Sequence, residues 1–379
     1  MKEVVGIVGS GMVGRDPFDP RCWSRIAKNF FEALQRQGVL HRAFGVEVPA
    51  HLRYPLMALD FRRDRNLWRG KFNLDPRYYR LLTREIAKAI RPDDPAFLQI
   101  GGHYDAARAC GGQVPCYSYH DGNVAQFMRS PNFPAVLKPD AERAFLWEKE
   151  VYGHLTKIFC MNEFWRNSFV DDFGLPAEKV VNVGFGLNIK PPVSVGAKDY
   201  GRQDVLFLGI DFERKGGPIL IRAFDRIAGK HPAAKLHLVG PHQAPAILAD
   251  GKARPGVVFH GHLIRENPAE LKALFDLLER STVVVLPSLY EPLGSALLEA
   301  MAFGAAGVAS DAWSFPEMIR DGVDGFRFPL GDDAKLADIL DRYLSDPNLR
   351  ASHGKAAHVE IVRRFDWDQV AARIAAALV

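Results

Sequence analysis

The stretch Ser281-Thr-Val-Val-Val-Leu-Pro-Ser-Leu-Tyr-Glu291-Pro-Leu-Gly-Ser-Ala-Leu-Leu-Glu299-Ala-Met-Ala302 decides the fold. Thr282 to Leu286 is β-branched and apolar throughout, the pattern of a parallel strand buried on both faces, and Ala296 to Ala302 is small, apolar and helix-forming. The loop between them carries Glu291 and ends in Gly294-Ser295. A helix opening there, with Ser295 as N-cap, turns free backbone N–H groups toward whatever lies beyond the strand's carboxyl end, and such an end binds anions. Glu291 in the loop and Glu299 about one turn into the helix can then reach hydroxyls on either side of a bound phosphate. A glutamate early in a helix often serves only the macrodipole or a capping box. After Ser295, however, the third helical position is Leu298, so Glu299 comes one residue too late to close a box. Its apolar neighbours Leu297, Leu298 and Met301 leave a buried carboxylate in need of a partner, which favours a ligand contact.

Working outward, 379 residues suit two domains of ordinary size. No apolar run approaches a membrane span, and Met1-Lys-Glu-Val leads into a strand rather than a signal peptide. Cys22, Cys110, Cys116 and Cys160 form no Cys-x-x-Cys pair, so neither a zinc site nor a disulfide framework is expected. The expectation is a cytoplasmic, reduced protein. The net charge of +4 is uneven: up to residue 190 there are 27 basic against 21 acidic residues, and beyond it 22 against 24. Residues 42 to 91 hold twelve basic and five acidic residues, so an anionic surface would be met there.

The chain opens with a buried strand, residues 3 to 9, followed by Gly9-Ser-Gly11-Met-Val-Gly14. This Gly-x-Gly-x-x-Gly lacks the rest of a dinucleotide fingerprint. Pro17 and Pro20 interrupt a helix at Gly11, and the second strand, Arg42 to Val48, offers Glu47 much too late. A glycine-lined loop of close backbone approach is expected, with the first helix from Ser24 to Gln37. On a helix over residues 77 to 91, Arg77, Arg80, Arg84, Lys88 and Arg91 line one face and Tyr79, Leu82, Ile86 and Ala89 the other. That pattern fits a solvated surface helix or one that meets an anionic membrane or a lipid-phosphate acceptor. Strands ending at Gly101-Gly102 and at His120-Asp121 place His103, His120 and Asp121 at strand carboxyl ends, where open α/β sheets bind ligands. Gly- and Pro-rich residues 185 to 203 read as a linker. Beyond it a strand from Asp204 runs into Arg214-Lys215-Gly216-Gly217 and a helix, a second anion cradle of two cations and helix N–H groups. His260-x-His262 lacks a third metal ligand, Ser314-Phe-Pro-Glu317 fits a capping box, and Asp366-x-Asp368 opens the last helix as cap and dipole complement.

Glu291-Pro-Leu-Gly-Ser-Ala-Leu-Leu-Glu299, with the following Gly307-Val-Ala-Ser-Asp to Gly325-Phe, resembles the Glu-x7-Glu signature and its downstream segment in retaining glycosyltransferases of the group 1, or family 4, type. Asp16 to Ser24 resembles that family's first loop, and Arg214-Lys215 its diphosphate clamp. Ile210 departs from it, standing where many members place an arginine. The resemblance implies an α/β protein of GT-B fold, two Rossmann-like parallel-sheet domains facing each other across a cleft. The implied domains are 1-187 on the acceptor side, 188-362 on the donor side, and a C-terminal helix, 363-379, packing back on the first.

It further implies transfer from a nucleotide-diphosphate sugar, UDP- or GDP-linked, to an acceptor hydroxyl with retention, as in polysaccharide, glycolipid or small-glycoside synthesis. His120, Asp121, Lys215 and Glu291 would be catalytic. Gly11, Arg214, Lys215, Glu291, Leu293, Gly294, Ser295 and Glu299 would bind the donor, and Trp23, Ser24 and His103 would lie on the acceptor side. No metal or other cofactor is required, and the partners are the sugar nucleotide and a glycan, lipid or small-molecule acceptor. No nucleic acid is expected, and residues 77-91 would carry peripheral contact with the inner membrane face. A nucleotide-sugar epimerase, a silent sugar-nucleotide sensor, a nicotinamide dehydrogenase and a glycosidase using Glu291 and Glu299 are the alternatives.

Overall fold

The computed structural model describes residues 2–9, 16–248 and 254–379, and the side chain of Ser24 is not described. The chain divides into two units, residues 1–188 with 365–379, and residues 189–364.

The first unit is a parallel sheet of β1 (Val4–Gly9), β2 (Leu40–Val46), β3 (Phe97–Ile100), β4 (Cys116–His120), β5 (Lys157–Cys160) and β6 (Val180–Asn182), in the order β2-β1-β3-β4-β5-β6. β1, β3 and β4 are buried along their whole length, as expected of apolar runs covered by helices on both faces. The helix Ile26–Arg36 lies so close over β1 that a Cβ on Gly6 would sit 2.4 Å from the Phe31 ring. On its other side that helix meets the last helix, Trp367–Ala377, where Phe30 and Trp367 pack edge to face at 6.0 Å and Arg36 pairs with Asp368 at 2.8 Å. Asp366 caps this final helix, accepting the Asp368 N–H.

The second unit holds β7 (Asp204–Leu208), β8 (Lys235–Val239), β9 (Val257–Gly261), β10 (Val283–Leu286), β11 (Ala306–Ser310) and β12 (Gly325–Phe328), ordered β12-β11-β10-β7-β8-β9. The chain runs from β7 outward to β9, then returns to β10 on the other side of β7 and runs outward to β12. The order therefore reverses between β7 and β10, and a crevice opens above the carboxyl ends of such a strand pair.

Several local expectations shift. The first helix begins at Ile26, after a 3-10 turn, Cys22–Arg25. The helix expected over 77 to 91 is Pro76–Ala89, started by Asp75, whose side chain accepts the Arg77 N–H. Ser314 makes no side-chain cap, because its hydroxyl donates to the Glu291 carbonyl at 3.4 Å, so the Ser314/Glu317 capping box does not form. Cys110 and Cys116, unremarkable in sequence, bring their sulfurs to 3.7 Å.

Candidate functional site

The loops leaving β7 and β10 meet at the reversal point. After β7 the chain turns through Gly216, φ +74°, into the helix Gly217–Ile227. A Cβ on Gly216 would lie 1.9 Å from the Pro287 carbonyl oxygen, so only glycine lets this turn touch the β10 loop. Leu289 N–H donates to the Arg214 carbonyl at 2.9 Å, and the Arg214 guanidinium donates to the Tyr290 carbonyl at 2.7 Å. The stem of Lys215 crosses Gly209, where a Cβ would lie 2.2 Å from Cδ. Its ammonium ends 2.6 Å from Glu291 Oε2. Glu291 Oε1 accepts the Gly294 N–H at 3.1 Å, and Arg214 stands 4.0 Å from the same carboxylate.

Glu291 is 5% exposed. Burial alone would raise its pKa; the ammonium of Lys215, helped by Arg214 and the Gly294 N–H, outweighs burial and holds the carboxyl below its usual range. The following helix is Ser295–Ala302 and its N-cap is Gly294, φ +64°, rather than Ser295. Leu293 is buried beside this cap. Lys215, Arg214, Glu291, Leu293, Gly294 and Ser295 thus form one cluster, and Ile210, in the position of the absent arginine, is exposed.

Glu299 is buried one turn further on, and both its oxygens are taken by Arg265, at 2.9 and 2.5 Å. Sequence reasoning asked for a partner and missed this one. Arg265 lies in the loop after β9, 34 residues earlier, and no local pattern links the two. The two histidines of His260-x-His262 diverge, His260 toward His237 at 3.0 Å and His262 toward the His242 ring. Among the described residues no three metal-ligating side chains come together.

In the first unit, Trp23 and Asp121, 98 residues apart, join at the sheet's carboxyl edge. The indole N–H donates to Asp121 Oδ2 at 2.9 Å. Trp23 has φ +47° and Arg25 φ +73°, a left-handed backbone that ordinary side chains avoid, held in place by the surrounding packing. Burial raises the Asp121 pKa to about 6, against the lowering effect of the Trp23 hydrogen bond.

His120 is 1% exposed, with Nε2 2.7 Å from Ser118 Oγ and the ring edge-on to Tyr152 and Phe169. Burial first, then neighbouring His103, hold its pKa down at about 3, so it is neutral at physiological pH. The ring faces these side chains, a core setting that its place beside a polar turn did not announce. His103 is exposed and stacks on Tyr79 at 5.0 Å. Ser24 is on the 3-10 turn, and Gly11 lies outside the described residues. On the helix Pro76–Ala89, Tyr78, Tyr79, Leu82 and Ile86 are buried and the arginines are exposed. A cavity of about 660 Å³ lies in the first unit, between this helix's first turns and the helix Lys138–His154, and is lined by Asp60, Arg77, Arg80, Arg143 and Trp147 among others.

Residues 202–346 match the family Glycosyl transferases group 1. Two curated relatives are a phosphatidyl-myo-inositol mannosyltransferase of Mycobacterium leprae, 30% identical over 64% of this chain and 61% of its own length, and a glycogen synthase of Mycobacterium tuberculosis, 33% identical over 65% and 63%. The chain thus spans about three fifths of the length of these relatives. Among solved structures, a sucrose-phosphate synthase from Thermosynechococcus elongatus superposes with a TM-score of 0.73, covering 99% of this chain and 98% of the other at 17% identity. Anabaena HepE in complex with UDP follows the same path with a TM-score of 0.65, 99% coverage of both chains and 18% identity. These likenesses establish the fold as GT-B.

Proposed function

We propose that the chain acts as a group 1 glycosyltransferase, the family that its residues 202–346 match, and transfers a sugar from a nucleotide-diphosphate donor to an acceptor hydroxyl with retention of configuration. The observation that carries this is the Lys215–Glu291 pair, 2.6 Å long, set beside the helix start at Gly294 where the strand order reverses. Breaking a glycosyl–phosphate bond develops negative charge on the departing diphosphate. Lys215 retains two further ammonium protons beyond the one given to Glu291, and the Ser295 end of the helix offers amides, so both can meet that charge where it forms. Arg214 adds a second cation with its guanidinium already fixed to Tyr290 and Asp211. No divalent ion is needed to neutralise the leaving group in this arrangement.

Glu291 receives the donor sugar's hydroxyls, and Glu299, oriented by Arg265, receives the ribose hydroxyls; Leu293 lines the donor's path. Asp121 acts at the reacting sugar, with His120 buried in the core next to it, and Trp23 and His103 serve the acceptor side. The base is that of UDP or GDP. The HepE complexes with UDP and with UDP-glucose support a nucleotide-sugar donor, and the M. leprae relative, named for phosphatidyl-myo-inositol, supports a lipid among the acceptors considered. No helix among the described residues is long and apolar enough to cross a membrane, and the proposed location is the cytoplasm, with peripheral contact at the inner membrane face.

Thermal-shift titration with UDP, GDP and ADP tests the reading directly. One diphosphate should stabilise the wild type and fail to stabilise Lys215→Ala. Turnover of the matching sugar nucleotide should persist in EDTA. Indifference to all three diphosphates would remove the proposal.

A further inference from the structure

The helix Ala50–Leu59, Ala-His-Leu-Arg-Tyr-Pro-Leu-Met-Ala-Leu, is largely apolar, yet only Leu56 of it is buried. Leu52, Tyr54 and Leu59 are 38%, 58% and 69% exposed, and Phe61 just beyond is 56% exposed. The local fold holds them outward. Asp60, 1% exposed, is anchored inside by Lys71 at 3.1 Å and Arg77 at 3.0 Å, so Leu59 and Phe61 on either side of it are turned to solvent. Phe61 is braced edge-on against Trp68 at 5.4 Å, and the Trp68 indole N–H donates to the Met57 carbonyl.

Next to this apolar cluster stand Arg62, Arg63, Arg65 and Arg69, all exposed and none paired with a carboxylate among the described residues. Leu52 and Leu59, seven residues apart, share one side of the helix, and Phe61 follows just beyond; large apolar groups left exposed on one side of a surface helix mark a contact with something else. Unpaired guanidinium groups beside them require that partner to be anionic.

We infer that the segment from Leu52 to Arg69 is a docking surface for an anionic lipid bilayer, with Leu52, Leu59 and Phe61 entering the headgroup boundary and Arg62, Arg63, Arg65 and Arg69 meeting lipid phosphates. The combination of apolar insertion and basic side chains is what interfacial binding needs. This surface differs from the one the sequence suggested. The helix Pro76–Ala89 buries its apolar stripe in its own unit and presents charges only, so it has nothing to insert. The inference does not depend on the transferase reading, and a nucleotide diphosphate should bind equally well to the variants below.

Vesicle flotation tests it, using the full chain with phosphatidylglycerol-containing or pure phosphatidylcholine vesicles. The wild type should float with the anionic vesicles only, and less at high salt, where surface charges are screened. Leu59→Ser with Phe61→Ser should weaken partitioning at least about tenfold, and Arg62→Gln with Arg63→Gln about fivefold for each charge removed. Because these side chains are exposed, the variants should unfold at the wild-type temperature. Absence of wild-type flotation would overturn the inference. So would undiminished flotation of the Leu59/Phe61 variant alongside loss in Arg84→Gln with Lys88→Gln, since that outcome assigns the contact to the neighbouring helix. A concentration-dependent dimer abolished by Leu59→Ser with Phe61→Ser, with no flotation, would give the surface to a second copy of the chain.

Discussion

Lys215→Ala isolates the interaction on which the candidate site is built. At 2.6 Å and an effective dielectric of about 20, the attraction between the ammonium and Glu291 is roughly 6 kcal/mol before desolvation is counted. Removing one member of a buried pair leaves the other charge uncompensated, which costs about 3 to 5 kcal/mol. Glu291 keeps the Gly294 N–H and Arg214 at 4.0 Å, so the lower end, about 3 kcal/mol at pH 7.5, is expected.

The pH dependence gives the reasoning its sharper test. In the wild type the Glu291 carboxyl titrates below its ordinary range, so the pair contributes stability above about pH 4.5 that is lost as the pH falls through the depressed folded-state value. Without Lys215, burial dominates and raises that value. The folded variant then takes up a proton more readily than the unfolded chain, and acidification relieves its deficit. Urea denaturation of both proteins at pH 7.5 and 4.5 should show the difference shrinking by at least about half. A deficit below about 0.5 kcal/mol at pH 7.5, or one equal at both values, would refute the assignment of Lys215 as the counter-charge of Glu291. Glu291→Gln should be milder, because Lys215 can hydrate and the amide oxygen still accepts the Gly294 N–H.

Arg265→Met leaves Glu299 buried with neither oxygen bonded to a guanidinium, and isothermal titration should find nucleoside-diphosphate affinity reduced about tenfold or more. Trp23→Phe removes the hydrogen bond that lowers the Asp121 pKa, so a carboxyl titration followed by NMR should place its midpoint above about 6. His120 is held neutral with a pKa of about 3 while the unfolded chain protonates near 6.5. The folded state therefore loses up to roughly 4 kcal/mol as the pH falls from 6.5 to 3, and His120→Gln should flatten that part of the denaturation-versus-pH curve.

The α/β class, the parallel strands and the glycine-bounded loops after β7 and β10 were legible in sequence because each is written locally. Val283–Leu286 could only be an interior strand, and Glu291 and Gly294 lie three residues apart in one loop. The resemblance to group 1 glycosyltransferases rested on the same contiguous residues. Cap positions were misplaced by a residue where glycine's left-handed conformation, invisible in the letters, started the helix at Gly294 instead of Ser295. Ser314 was misread for a different reason: its hydroxyl had a tertiary acceptor, the Glu291 carbonyl, that competed with the local box.

What the sequence by itself determined is therefore the set of parts: buried strands, two glycine-bounded helix starts, a lysine and two glutamates at fixed spacing. Only the tertiary structure decided how those parts are paired. Lys215 reaches Glu291, 76 residues away, because the strand order reverses between β7 and β10 and brings their loops together. Arg265 reaches Glu299, and Trp23 reaches Asp121, for the same kind of reason. A buried charge or indole N–H must find a partner somewhere, but sequence spacing carries no record of which distant loop supplies it; that is fixed by the order of strands in the sheet.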